Sequence, residues 1–193
     1  MLMNKAHILP TSLKKRTFTI SEAKEAGISR FTLGLLLKEG QIRKVTQNHY
    51  LYWELDEERD AKFEAANLAI GLPSAICLLS ALEYYGLTDE IVRKIWVMVP
   101  RNKISRRKEL RLLRCSNPEW AIGIKKNKPY WITDIDRTLI DCLYYQRYLG
   151  PFIPIKAIKM AIEAKETTLL NIANMAKKLK RYTKLKQYFE ALL

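Results

Sequence analysis

Gly27-Ile28-Ser29-Arg30-Phe31-Thr32-Leu33-Gly34-Leu35-Leu36-Leu37-Lys38-Glu39-Gly40, continued by Gln41-Ile42-Arg43-Lys44-Val45-Thr46-Gln47-Asn48-His49-Tyr50-Leu51-Tyr52, is the stretch whose reading decides the fold. It reads as a turn, a helix, a glycine stop and two short strands. Gly27 suits the positive φ that closes a preceding helix. Ser29 is a natural N-cap, because its hydroxyl can accept a bond from an orphan backbone N–H. Leu33, Leu36, Leu37 and Gly40 recur at helical spacing and mark one face, after which Gly40 ends the helix. Ile42, Val45, Tyr50 and Tyr52 are strand formers around the polar tip Thr46-Gln47-Asn48-His49. Helix, turn, helix and β-wing together predict a winged helix-turn-helix, a module that lays its second motif helix in the major groove.

Working outward, residues 2–9 form a short amphipathic piece expected as the first helix of that module. Thr11 to Arg16 reads as a basic loop, Phe18 and Ile20 as a brief extended segment, and Ser21 as the cap of a helix over 22–26. After the wing come Asp56, Glu57, Glu58 and Asp60, which suit the positive end of a helix dipole. The domain boundary is placed there, giving domains 1–54 and 55–193. The second domain is expected to hold a helix over 57–70 and another capped by Ser74, with Ile76, Leu79 and Leu82 inward. Ile95 to Val99 and Leu110 to Arg114 read as strands, and Ala121–Ile124 with Tyr130–Ile132 as a hairpin. Thr133-Asp134-Ile135-Asp136 opens a helix with Leu139, Ile140 and Leu143 inward. Two last helices are expected over about 155–165 and 168–192, the final one docking on its own domain as a monomer or weak dimer. The fold class is α/β (α+β).

The 193 residues carry 34 basic and 20 acidic side chains, a net charge of +14. Nine basic and three acidic residues lie up to Tyr52, with 25 and 17 beyond it. The excess is therefore not a tail, and both halves can face a polyanion. Nucleic acid leads over an acidic membrane surface. Cys77, Cys115 and Cys142 are odd in number and lack short spacing, which argues against a disulfide framework or zinc site and fits a reducing cytoplasm. The uncharged run Ala65–Leu82 has the length of a membrane span, but Gly71, Pro73 and Ser74 split it, so no membrane partner is expected. No cofactor or metal is called for.

In order along the chain, Phe18-Thr19-Ile20-Ser21-Glu22-Ala23, Ala26-Gly27-Ile28-Ser29-Arg30 and Leu36-Leu37-Lys38-Glu39-Gly40-Gln41-Ile42 precede a second set of motifs. These are Ser80-Ala81-Leu82-Glu83-Tyr84-Tyr85-Gly86-Leu87, Val97-Met98-Val99-Pro100-Arg101 and Ile132-Thr133-Asp134-Ile135-Asp136-Arg137-Thr138-Leu139-Ile140-Asp141. In their order and spacing they resemble the AbiE-type (AbiEi-like) antitoxin family of bacterial transcriptional regulators, from type IV toxin–antitoxin and abortive-infection systems. The resemblance implies a winged domain that binds and represses the promoter of its own operon. It also implies a larger α/β domain needed for antitoxin activity and a neighbouring nucleotidyltransferase-type toxin, countered without a required stable complex. The family's wing usually carries a glycine before its tyrosine; Asn48 and His49 stand there instead, and Asn tolerates left-handed backbone.

The residues expected at DNA are Ser29, Arg30, Thr32 and Lys38 on the motif helix, and Arg43, Lys44, Gln47, Asn48 and His49 on the wing. Arg30 is the best guanine reader, because its fork matches O6 and N7, while Phe31 and Leu35 can meet thymine methyls or pack on a partner. The wing residues would contact phosphate, which positions without specifying. Two basic runs form a further candidate nucleic-acid or antitoxin surface: Arg101, Lys103, Arg106, Arg107, Lys108, Arg111 and Arg114, then Lys177, Lys178, Lys180, Arg181, Lys184 and Lys186. A solvated face is the plain alternative for both. Arg137 and Asp141, spaced i, i+4, are assigned a structural ion pair. The readings weighed against a repressor and antitoxin are a transcription factor without a toxin, a protein-interaction module, and a Mg²⁺-dependent nuclease. The last would use Glu163-Ala164-Lys165 with Asp134, Asp136 and Asp141. That motif needs a strand, however, and Ala157 to Ala164 reads as helix.

Overall fold

The two glycines that frame the motif helix have the positive φ their places require, +81° at Gly27 and +70° at Gly40. Each closes a helix in the same manner. Gly27 N–H donates to Lys24 and Ile28 N–H to Ala23; Gly40 N–H donates to Leu37 and Gln41 N–H to Leu36. These crossed bonds satisfy carbonyls left over at a helix end. The computed structural model describes residues 9–54, 59–116, 119–126 and 129–191. The helix expected over 2–9 lies outside them apart from Leu9, as do Asp56, Glu57 and Glu58. The chain is a mixed α/β protein of two compact units, the first running to Ala69 and the second from Ile70.

In the first unit a short 3-10 turn (Thr11–Lys14) precedes β1 (Phe18–Thr19), α1 (Ile20–Glu25), α2 (Arg30–Lys38), β2 (Ile42–Lys44), β3 (His49–Tyr52) and α3 (Arg59–Ile70). The strands form an antiparallel sheet in the order β1-β3-β2, with Phe18 opposite Tyr50 and Ile42 opposite Tyr52. Alternation along β3 then sorts two cores. Tyr50 and Tyr52 join Phe18, Ala23, Ile28, Leu33 and Leu36 on one side. Leu51 and Val45 meet Ala61 and Ala65 of α3 on the other. The boundary expected after residue 54 is corrected by this second face: α3 covers the back of the β2–β3 hairpin, and the division falls after Ala69. The cap of α1 is Thr19 rather than Ser21. Thr19 N–H donates to Glu22 Oε2 at 2.7 Å and Glu22 N–H to Thr19 Oγ1 at 3.2 Å, a reciprocal capping box.

The second unit holds a five-stranded mixed sheet in the order β6-β5-β4-β8-β7. Its strands are β4 (Ala75–Ile76), β5 (Ile95–Pro100), β6 (Leu110–Cys115), β7 (Ile124–Lys125) and β8 (Ile132–Thr133), with α4 (Leu78–Tyr84) between β4 and β5. The helices α5 (Ile135–Tyr144), α6 (Phe152–Glu163), α7 (Leu169–Lys178) and α8 (Tyr182–Ala191) follow. β5 and β6 are parallel, joined by an irregular crossover over 101–109, and the expected hairpin is β7–β8. Two expectations are corrected. Ala75–Ile76, assigned to a helix capped by Ser74, is the central strand, and the helix starts only at Leu78. The single helix expected over 168–192 is two helices, because Lys180 takes φ +56° after the last turn of α7.

Candidate nucleic-acid interface

Because α2 turns Leu33 and Leu36 into the core, its outer side consists of Arg30, Phe31, Gly34 and Lys38, all exposed, with Leu35 half-buried. Phe31 is 76% exposed. Nothing lies within 4 Å of where a Cβ on Gly34 would stand, so that side of the helix is open. Ser29 caps α2, its hydroxyl accepting from Thr32 N–H at 3.0 Å and lying 2.9 Å from the Thr32 hydroxyl. Both hydroxyls are thereby engaged with each other. Arg30 has no hydrogen-bond or ion-pair partner among the described residues, so its guanidinium fork is uncommitted.

The β2–β3 hairpin closes without a left-handed residue at Asn48. Thr46 replaces that device: its hydroxyl accepts from Asn48 N–H at 3.2 Å and His49 N–H at 3.1 Å, and sits 2.8 Å from His49 Nδ1. Lys44 reaches Gln47 Oε1 at 3.4 Å across the exposed tip. Between α1, the Gly27 turn, the start of α2 and the tip of the β2–β3 hairpin runs a groove of about 690 Å³. Ile20, Ser21, Lys24, Gly27, Ile28, Ser29, Arg30 and Asn48 line it. Its charged lining is wholly cationic, Lys24 and Arg30.

Of the nine residues expected at DNA, Ser29, Arg30 and Asn48 line this groove, Thr32 is bonded to Ser29 on the first turn of α2, and Lys44, Gln47 and His49 stand on the adjoining hairpin. Two fall elsewhere. Arg43 pairs in register with Leu51, which faces α3, so it leaves the hairpin on the α3 side, away from the core that holds Leu33 and Leu36, and is half-buried. Lys38 sits at the far end of α2, about 12 Å along the axis from Arg30. Lys24 also lines the groove, at a position outside the turn, motif helix and hairpin that the sequence pattern marks. The signal that finds it is its place beside buried Ala23, one turn before Gly27, which puts it on the outer side of α1.

The basic runs do not form single patches. Along β6 alternation sends Arg111 and Arg114 to opposite faces. Arg111 stacks on Trp96 with its guanidinium carbon 4.3 Å from the ring centroid, whereas Arg114 Nε donates to Lys103 O at 3.0 Å. Lys103 donates to the carbonyls of Ile70 and Gly71 at 3.0 and 3.3 Å, and Arg107 lies 3.3 Å from Glu109. Arg101, Arg106 and Lys108 are exposed on the crossover. In the second run Lys177, Lys178 and Lys180 are exposed, but Arg181 is buried. The expectation that Arg181 belongs to a binding surface is thus corrected, for it forms an ion pair with Asp141.

That pair is part of a buried triad. Arg137 Nε donates to Asp141 Oδ2 at 2.8 Å, with both side chains fully buried, and its Nη1 donates to Ile122 O at 2.8 Å. Arg181 holds the other oxygen and lies over the rings of Tyr144 and Tyr145 at 4.5 and 5.4 Å. The cysteines Cys77, Cys115 and Cys142 are buried and unpaired, and burial pushes all three thiols up, so none is a thiolate at neutral pH. Asp134 caps α5 through Arg137 N–H at 2.8 Å, and Asp136 accepts from the Thr167 hydroxyl. Glu163 ends α6 and Lys165 follows it on the surface with φ +57°, so the nuclease spacing lies at a helix end and not on a strand. Among the described residues no group of three His, Cys, Asp or Glu is placed to hold a metal, and no helix is long and apolar enough to cross a membrane. No protein-family model matches the chain, and no curated protein matches it.

Proposed function

We propose that the first unit is a winged helix-turn-helix head that binds duplex DNA, and that the protein is an operator-binding autorepressor and antitoxin of a toxin–antitoxin operon. The observation that carries the DNA reading is the open groove at the start of α2, lined by Lys24 and an uncommitted Arg30 beside the polar wing tip. A guanidinium without an internal partner loses no bond on meeting a guanine edge, and a groove lacking acids does not repel phosphate. The outer side of α2, with Gly34 leaving room for close approach, suits a helix inserted into the major groove. Sequence preference then comes from Arg30 and apolar contact by Phe31 with thymine methyls, while Lys24 and Lys44 meet phosphates. The antitoxin part rests on the motif resemblance alone, and the toxin it counters is of the nucleotidyltransferase type.

The test is a titration of the full chain against the fragment upstream of its own gene and against random duplex, at several salt concentrations, beside expression of the neighbouring gene with and without this protein. The reading expects preference for the upstream fragment and an affinity that falls by about 0.9 log units per log unit of salt for each phosphate neutralised. Equal binding to both duplexes refutes the operator reading. A neighbouring gene whose expression is harmless without this protein removes the antitoxin part and leaves a plain transcription factor.

A further inference from the structure

The second unit carries a pocket that the DNA reading does not use. It lies at the end of the sheet where the loop before β5, the edge strand β6 and the segment joining α5 to α6 converge, and has a volume of about 310 Å³. Its apolar floor is formed by Leu79, Val92, Leu149 and Ile153, and Ile91 at its edge is 82% exposed. Its polar lining is cationic: Arg93, Lys94 and Arg111, with no acid among the lining residues. Asp89, on the neighbouring loop, is occupied by Lys156.

Arg111 organises the pocket. It stands opposite Trp96 in the parallel β5–β6 register, so both side chains leave the same face of the sheet. Its guanidinium stacks on the Trp96 ring at 4.3 Å and lies 6.0 Å from the centroid of Tyr148. No described residue accepts a hydrogen bond from it. A stacked guanidinium is fixed in orientation while its N–H edge stays open, the arrangement that receives a carboxylate bidentately with little further ordering.

We propose that this pocket docks an acidic peptide segment of a partner protein, a carboxylate seated on Arg111 between Arg93 and Lys94 and an aliphatic anchor side chain on the Leu79–Ile153 floor. Charge complementarity selects an acidic occupant, and the aliphatic floor selects a peptide over a nucleic acid. Single-stranded nucleic acid binds such sites by stacking bases on open aromatic faces. Here Trp96 is only 5% exposed with Arg111 over its ring, and the more exposed Tyr148 has Arg147 over its own ring at 4.7 Å.

The experiment uses the full chain and fluorescence anisotropy of three probes: a labelled peptide alternating glutamate and leucine, the same peptide with glutamine for glutamate, and an oligo-dT strand of similar length. The acidic peptide binds and weakens with salt, while the glutamine peptide binds about tenfold or more weakly, as loss of a charge-assisted pair requires. Arg111→Ala and Ile91→Glu each weaken the acidic peptide by a similar factor. Arg111→Lys, which keeps the charge but not the planar fork, also weakens it, and thermal melting of each variant confirms that it is folded. Equal binding of the glutamine peptide, or binding indifferent to folded Arg111→Ala, overturns the proposal. Oligo-dT binding that is lost in Arg111→Ala, with no peptide bound, assigns the pocket to nucleic acid and overturns it equally.

Discussion

Replacing Asp141 by Asn tests the buried triad most directly. The substitution leaves volume nearly unchanged but removes the carboxylate that pairs with two guanidiniums, one fully buried and the other 7% exposed. Arg137 retains the carbonyl of Ile122 at 2.8 Å and a longer contact to Glu119 O at 3.4 Å. Among the described residues Arg181 then keeps the faces of Tyr144 and Tyr145. Breaking a buried pair costs about 3–5 kcal/mol, because the surviving charge stays desolvated. The asparagine oxygen still accepts one N–H, which places Asp141→Asn near the lower figure and Asp141→Ala near the upper. Against a domain stability of about 5–15 kcal/mol this is a large fraction. With a urea dependence of about 2 kcal/mol per molar, the midpoint falls by about 1.5–2.5 M. Tryptophan fluorescence is the assay, since Trp96, Trp120 and Trp131 of the four tryptophans lie in the second unit. A loss below about 1 kcal/mol refutes the argument, as it would mean that water reaches the guanidiniums freely. A control sharpens it: the triple variant Arg137→Met, Asp141→Leu, Arg181→Met removes all three charges and is expected to be less destabilised than Asp141→Asn.

Arg30→Ala is expected to reduce discrimination between the upstream fragment and random duplex by about 1–3 kcal/mol while changing thermal stability little, as competition titrations and melting will report. Lys24→Ala, by contrast, is expected to weaken both duplexes alike and to lower the salt slope by about one phosphate's share, measured in the same titrations. The Thr19 N–H and then Arg16 hold the Glu22 carboxyl down, from 4.5 to about 2, so it favours the folded state above pH 4.5 and that support is lost as pH falls through 2. Its side chain is 30% exposed, so screening reduces the contribution to on the order of 1 kcal/mol, and Glu22→Gln is expected to flatten the acid limb of the first unit's stability curve between those values. Gly123 has φ +63°, and an added Cβ would stand 2.6 Å from Arg137 Cβ and 3.1 Å from Met175 Cε. Gly123→Ala is accordingly expected to cost about 2–4 kcal/mol in urea unfolding, from strained backbone and a displaced Arg137 together.

The features legible in the sequence are those whose cause is local. Gly27, Ser29 and Gly40 act through bonds to residues within five positions, so the motif helix and its turn follow from a short stretch. Arg137 and Asp141 are one helical turn apart, and their spacing suffices to predict the pair. The cap at Thr19 and the break at Lys180 are local features that the sequence pattern leaves ambiguous, and the other three misreadings depend on distant chain. Ala75-Ile76 sits in an apolar run too short to tell strand from helix by period, and becomes a strand because Trp131 O and the facing β5 satisfy its backbone. Arg181 looks like one more lysine-rich surface position until Asp141, forty residues earlier, claims it. The back face of the β2–β3 hairpin is covered by α3, whose preceding acidic run reads in sequence as the opening of a new domain. The candidate interface obeys the same logic in reverse. Its residues are those which neither local capping nor distant packing has claimed: Arg30 without a partner, Phe31 uncovered, Gly34 leaving a gap. A surface is most informative about function where the fold has an evident use for the neighbouring side chains and none for these, and on α2 that contrast is drawn within a single turn of helix.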